Sequence, residues 1–222
     1  YFFSGTFIMR GVGCIVNDIA DRHIDPHVER TKNRPLATRQ ITLQSAIILL
    51  VALLCTALLI LSQLPFACFS YALIGLALTV IYPFCKRFFE APQFILGLAF
   101  SMGIPMAYAA LGITPNTTTY LLILLNFLWI IAYDTIYAMA DKVDDLEIGV
   151  KSTAILFASQ DKNIVFLLQL ATQILWLILA SALHFNLIFY IIWSIGCGLF
   201  MHQQWVIRGS NPNYLRSFSS NG

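Results

Sequence analysis

Apolar residues run along this chain in blocks of about twenty, the length of helix needed to cross a hydrocarbon core about 30 Å thick. The blocks predict spans near residues 1–20, 42–62, 66–84, 93–113, 118–140, 163–184 and 187–207, seven helices in all. The expected fold class is therefore all-α, a polytopic membrane helical bundle around a central cavity. The spacers Ser62-Gln63-Leu64-Pro65, Thr114-Pro115-Asn116-Thr117 and His184-Phe185-Asn186 carry no Lys or Arg. The other connections and the tail hold all the Lys and Arg except Arg10. The positive-inside rule makes that basic side cytoplasmic, or the matrix side in a mitochondrion.

Composition sharpens this reading. Of 222 residues, 59% are hydrophobic and 11% charged, and the mean hydropathy is +0.77. A soluble domain carries roughly 25% charged residues. That excess of apolar surface excludes a soluble enzyme and a disordered tail, and a net charge of +2 is too small for a nucleic-acid binder. The five cysteines stand singly and form no C-x-x-C, as buried thiols in packed helices do. The chain begins Tyr1-Phe2-Phe3, which reads as the interior of a longer chain. Asn116-Thr117-Thr118 fits a glycosylation sequon, but in so short an outer loop it reads as coincidence.

The acidic residues follow the basic ones to the same side, which orientation rules do not require. Asn17, Asp21 and Asp25 are spaced i, i+4, i+8, so a continuous helix would present an amide and two carboxylates on one face, with Pro26 ending it. The fifth predicted span ends in a second set, with Asp141 and Asp145 again i, i+4 and Asp134 and Tyr137 preceding them on a nearby stripe. Both spans run from the outer to the inner side, so the two acidic tips reach one membrane surface. Clustered carboxylates repel, and each costs several kcal/mol at membrane depth. A divalent cation relieves both. The candidate ligands are oxygens, which selects a hard ion, Mg²⁺. Mg²⁺ keeps waters and bridges a few carboxylates to substrate phosphates, so two facing clusters suit a metal-bridged diphosphate. His23 and His27 are also i, i+4, but Pro26 lies between them and no Glu is framed as in H-E-x-x-H, which argues against zinc.

Basic residues flank these sets: Arg30, Lys32 and Arg34 after the first, Lys86-Arg87 after Tyr82, and Lys151 after the second. Arg34, Lys86 and Arg87 are candidates for phosphate contacts. Arg39, Lys162, Arg208 and Arg216 need nothing beyond topology. Arg10, inside the first span and seven residues before Asn17, either holds the carboxylate of an aromatic acid or pairs structurally with Asp134. A divalent-cation transporter is the rival from another class, but transporters place acids near the bilayer midplane.

The run Asn17-Asp18-x-x-Asp21-x-x-x-Asp25, then Arg30-Thr31-x-Asn33-Arg34-Pro35-Leu36, resembles the first signature of the UbiA-type intramembrane prenyltransferases. Tyr133-Asp134 through Asp141-Lys142-x-Asp144-Asp145, then Gly149-Val150-Lys151-Ser152-Thr153-Ala154, resembles the second, and Tyr82-Pro83-Phe84-x-Lys86-Arg87 fits between them. The resemblance covers nearly the whole chain and is strongest to the branch that prenylates 4-hydroxybenzoate in ubiquinone biosynthesis. Branches acting on other aromatic acceptors in quinone and haem pathways are less similar.

The resemblance implies nine transmembrane helices in the family, of which a single domain over 1–222 would retain seven, truncated at both ends. It implies an Mg²⁺-dependent enzyme of a bacterial inner membrane, with the mitochondrial inner membrane as alternative and the site facing the cytoplasm. The substrates would be a polyprenyl diphosphate and an aromatic acceptor. Asn17, Asp21, Asp25, Asp141 and Asp145 would hold Mg²⁺ and diphosphate. Arg30, Arg34, Tyr82, Lys86 and Tyr137 would contact the diphosphate or the allylic cation, with Arg10 near the acceptor. Arg87, Asp134 and Lys151 complete the expected substrate-binding set.

Overall fold

The computed structural model describes residues 1–221 and is helical throughout, with no strand among them. The long helices are α1 (Phe2–Asp21), α2 (Leu43–Leu61), α3 (Ala67–Cys85), α4 (Pro92–Ser101), α5 (Gly103–Ala110) and α6 (Thr117–Ile148). A short α7 (Thr153–Leu156) leads to α8 (Asp161–Ala182), α9 (Leu187–Arg208) and α10 (Tyr214–Ser219). Among the described residues six stretches are long and apolar enough to cross a membrane, one fewer than the seven expected. The difference is α1, which forms a 20-residue helix but carries Arg10, Asn17, Asp18 and Asp21.

Three expected boundaries shift for identifiable reasons. First, α1 stops at Asp21 instead of running to Asp25. Pro26 has no N–H to give to the Arg22 carbonyl, so the α-helical ladder cannot run through it, and Asp25–His27 form a separate 3-10 turn with the proline in its first positions, where no N–H is needed. Second, the 93–113 span breaks at Met102 into α4 and α5. Pro105 cannot donate to the Ser101 carbonyl one turn earlier, and the Ser101 hydroxyl instead donates to Gly97 O at 2.8 Å. Third, α6 runs 32 residues, about 48 Å at 1.5 Å per residue, well past the predicted end at 140. Asn116 caps its start, accepting from Thr119 N at 3.1 Å, and Gly149 ends it at φ +79°, where a Cβ would be strained. This one helix therefore carries Asp134, Tyr137, Asp141 and Asp145.

The packing is organised on α6, the most buried of the spans, which touches α4, α5, α7, α8 and α10. On the other side α1 packs on α2 and α3, and α3 on α4 and α5. Gly97 allows the closest approach, since a Cβ there would lie 2.8 Å from the Phe127 ring. Large apolar side chains on α2 and α9, Ile48, Leu59, Ile188 and Ile192 among them, point outward, as lipid-facing helices require.

Candidate functional site

A cavity of about 1560 Å³ opens between α1, α2, α3, α4 and α6. Most of its wall is apolar, from Leu54, Leu58, Leu73, Leu76, Phe100 and Met106. Its polar end lies where the C-terminal ends of α1, α3 and α6 converge. Helix C-termini carry partial negative charge, and the carboxylates add to it, so this end of the cavity attracts cations.

Three cations of the chain already sit there. Lys86 Nζ, at the end of α3, donates to Asn17 Oδ1 at 2.9 Å and to Asp21 Oδ2 at 3.0 Å. Arg30 Nε donates to Asp141 Oδ1 at 2.8 Å, and its guanidinium lies 4.3 Å from the centroid of the Tyr137 ring. Arg34 Nη1 bridges Asp18 at 2.9 Å and Asp25 at 3.2 Å. Glu29 N also donates to Asp144 Oδ2 at 2.9 Å, which ties the loop after α1 to the tip of α6. The two acidic tips thus face one cavity and are stitched together by basic side chains.

Asn17, Asp21, Asp25, Asp141, Asp145, Tyr82, Tyr137, Arg10, Arg30, Arg34, Lys86, Asp134 and Lys151 all line the cavity. Arg87 does not. It follows Lys86 by about 100° of helical turn and donates to Ala20 O at 2.7 Å, satisfying a carbonyl at the end of α1. Asp134 is buried and accepts from the Tyr82 hydroxyl at 3.2 Å. Arg10 makes no ion pair with it; among the described residues the Arg10 guanidinium has no hydrogen-bonding partner and stands open to the cavity. Lys151 N donates to Lys86 O at 2.8 Å, so the segment after α6 braces the end of α3.

Sequence reasoning passed over three lining residues. Asp18 lies one position off the Asn17–Asp21 face, yet Arg34 draws it into the site. Gln93 is buried at the start of α4 and accepts from Thr153 N at 2.9 Å. Phe218 arrives on α10, which has no apolar run to announce it.

The donor set suits a hard cation. Asp21 Oδ1 is buried without a hydrogen-bond partner, an orphaned acceptor at the polar end of the cavity. Burial pushes the Asp25 carboxyl above the usual carboxylate range despite the pull of Arg34. No three acidic, His or Cys side chains among the described residues form a cage of their own. The five expected ligands instead reach the cavity in groups separated by Lys86, Arg30 and Arg34. That matches an ion held by one or two carboxylates together with substrate phosphates.

Comparison with known proteins agrees with this geometry. Residues 1–219 match the model of the UbiA prenyltransferase family. The chain is 51% identical, over its full length and 79% of the relative's, to a 4-hydroxybenzoate octaprenyltransferase of Legionella pneumophila strain Lens. It is 46% identical, over 93% of the chain and 73% of the relative, to an enzyme of the same name from Vibrio cholerae. Its fold superposes on the apo structure of a UbiA homolog from Aeropyrum pernix K1 with a TM-score of 0.87, at 23% identity over 99% of this chain and 82% of that one. A UbiA homolog from Archaeoglobus fulgidus bound to GPP and Mg²⁺ superposes with a TM-score of 0.73, at 17% identity over 98% of this chain and 82% of that one. With a membrane-spanning helical bundle built around a cation-paired double acidic tip, the chain is a multi-pass integral membrane protein that belongs to the UbiA prenyltransferase family.

Proposed function

We propose that the protein transfers a polyprenyl group from an all-trans polyprenyl diphosphate to the ring carbon ortho to the hydroxyl of 4-hydroxybenzoate, a step of ubiquinone biosynthesis. The observation that carries this reading is the cavity itself, which joins a long apolar wall to one polar end where two acidic tips and three cations meet. An isoprenoid diphosphate has the same division. The names of relatives about half identical over the full chain support the acceptor.

Asn17, Asp21, Asp25, Asp141 and Asp145 would hold Mg²⁺, which when bound neutralises charge on the leaving diphosphate. Lys86, Arg30 and Arg34 donate to the diphosphate oxygens as the allylic C–O bond ionises, exchanging their present carboxylate partners for phosphate. Tyr82 and Tyr137 offer ring faces to the allylic cation. Arg10, without a hydrogen-bonding partner among the described residues, pairs with the carboxylate of 4-hydroxybenzoate and turns the ring carbon toward the cation. That carbon attacks, and a carboxylate or the released diphosphate takes the ring proton. The apolar wall keeps out water that would quench the cation. The protein sits in a bacterial inner membrane with this end toward the cytoplasm.

The test uses membranes carrying the full-length protein, with radiolabelled 4-hydroxybenzoate and donors of several chain lengths. Labelled prenyl product and Mg²⁺-dependent diphosphate release are expected together. Transport of Mg²⁺ into sealed vesicles without diphosphate release would replace this reading with the transporter.

A further inference from the structure

Two tyrosines face the polar end of the cavity, and they are held differently. The Tyr82 hydroxyl donates to Asp134. The Tyr137 hydroxyl makes no hydrogen bond among the described residues, so packing alone places its ring. Its partners are the Arg30 guanidinium, 4.3 Å from the ring centroid, and the Phe218 ring, 4.6 Å away and tilted 45°. Phe218 also touches Tyr133, with ring centroids 5.6 Å apart.

We propose that Phe218 is a positioning residue for prenyl transfer: it sets the Tyr137 ring, and through that ring the Arg30–Asp141 pair that meets the donor's diphosphate. The proposal rests on the function proposed above.

The way α10 is anchored supports this role. Three glutamines inside the membrane-spanning helices form a ladder that ends on Ser220, the residue that caps α10 at its C-terminus. Gln204 Nε2 donates to Gln169 Oε1 at 2.9 Å, Gln169 Nε2 to Gln203 Oε1 at 2.8 Å, and Gln203 Nε2 to Ser220 Oγ at 3.0 Å. Gln203 is 1% exposed. Trp129 on α6 adds a bond from Nε1 to Asn221 Oδ1 at 3.4 Å. Amides in apolar helices are costly unless paired, and here their pairing fixes the segment that delivers Phe218. The same ring packs against the buried cluster of Ile136, Met139, Val165 and Ile207, so its position is tied to the core rather than to the cavity alone.

The experiment compares full-length wild type with Phe218→Leu, Phe218→Tyr and Phe218→Ala in lipid nanodiscs. It reads transfer kinetics, binding of a non-hydrolysable geranyl thiolodiphosphate with Mg²⁺, and the thermal midpoint. Phe218→Leu should weaken probe binding and lower kcat/KM for the donor about tenfold, with the acceptor KM and the midpoint near wild type, while Phe218→Tyr stays within about twofold. Should Phe218→Ala fail to fold, Phe218→Leu decides alone. Wild-type binding and turnover in Phe218→Leu overturn the proposal, as does a loss shared equally by donor and acceptor alongside a lowered midpoint. Wild type that binds the probe but prenylates no aromatic acid refutes the proposed function instead, and probe binding by Phe218→Leu still decides the role of Phe218.

Discussion

Replacing Lys86 with alanine separates the two jobs of its ammonium group. In the folded chain Nζ serves both Asn17 and Asp21, and Asp21 Oδ1 is already without a partner. Removing the ammonium leaves a carboxylate that is 6% exposed with no counter-charge. Breaking a fully buried pair costs about 3–5 kcal/mol, and because the Lys86 side chain is 21% exposed solvent screening brings the cost below that range, to about 2–3 kcal/mol. Asp21→Asn in the same background removes the stranded charge, so the double variant should regain most of that loss. In turnover, one charge-assisted contact to the leaving diphosphate is worth about 1.5–3 kcal/mol, or about 10- to 150-fold in kcat/KM for the donor, and the double variant regains none of it. Denaturant unfolding in detergent and steady-state kinetics on the four proteins of the cycle read both quantities. Equal stability of Lys86→Ala and wild type, or a double variant that loses the sum of the single losses, would refute the reasoning.

Other outcomes follow from the same geometry. Gly97→Ala drives a Cβ to 2.8 Å from the Phe127 ring and should lower stability by about 1–3 kcal/mol in an unfolding titration, with kinetics affected only through the folded fraction. Asp25 has a carboxyl pushed up by burial, so the folded state prefers it protonated and stability is lost as pH rises through that raised value. Asp25→Asn should therefore raise the thermal midpoint at neutral pH while abolishing transfer, and the gain should vanish below the ordinary carboxylate range; a lowered midpoint at neutral pH would contradict the sign. Chelation of divalent ions by EDTA should stop diphosphate release without unfolding the protein, and added Mg²⁺ should restore it. Arg10→Ala should raise the KM for 4-hydroxybenzoate and leave donor binding unchanged, as measured by isothermal titration.

The transmembrane helices were legible because apolar runs of span length leave few alternatives to a helix in lipid. Their ends were less so. Proline chemistry at Pro26 and Pro105 predicts a break but not which residue yields, and the break fell at Asp21 in one case and Met102 in the other. The acidic tips could be placed on one membrane surface by counting spans, yet their partners could not. That Lys86 bridges Asn17 and Asp21 while its neighbour Arg87 turns to a backbone carbonyl depends on how α3 is rotated against α1. Helical spacing fixes the angle between the two side chains but not which one faces inward. Phe218 and the glutamine ladder escaped for a related reason: their partners lie 81 and 34 residues away in sequence, brought together only by packing on α6 and α8.

The central claim is that both acidic tips grip one diphosphate. Titration of geranyl thiolodiphosphate with Mg²⁺ into wild type, Asp21→Ala, Asp141→Ala and the double variant tests it directly. If the tips act on a single ligand, either substitution alone removes Mg²⁺-dependent binding and the second adds little. Near wild-type binding in either single variant, or losses that simply add, would show that the tips do not share the ligand.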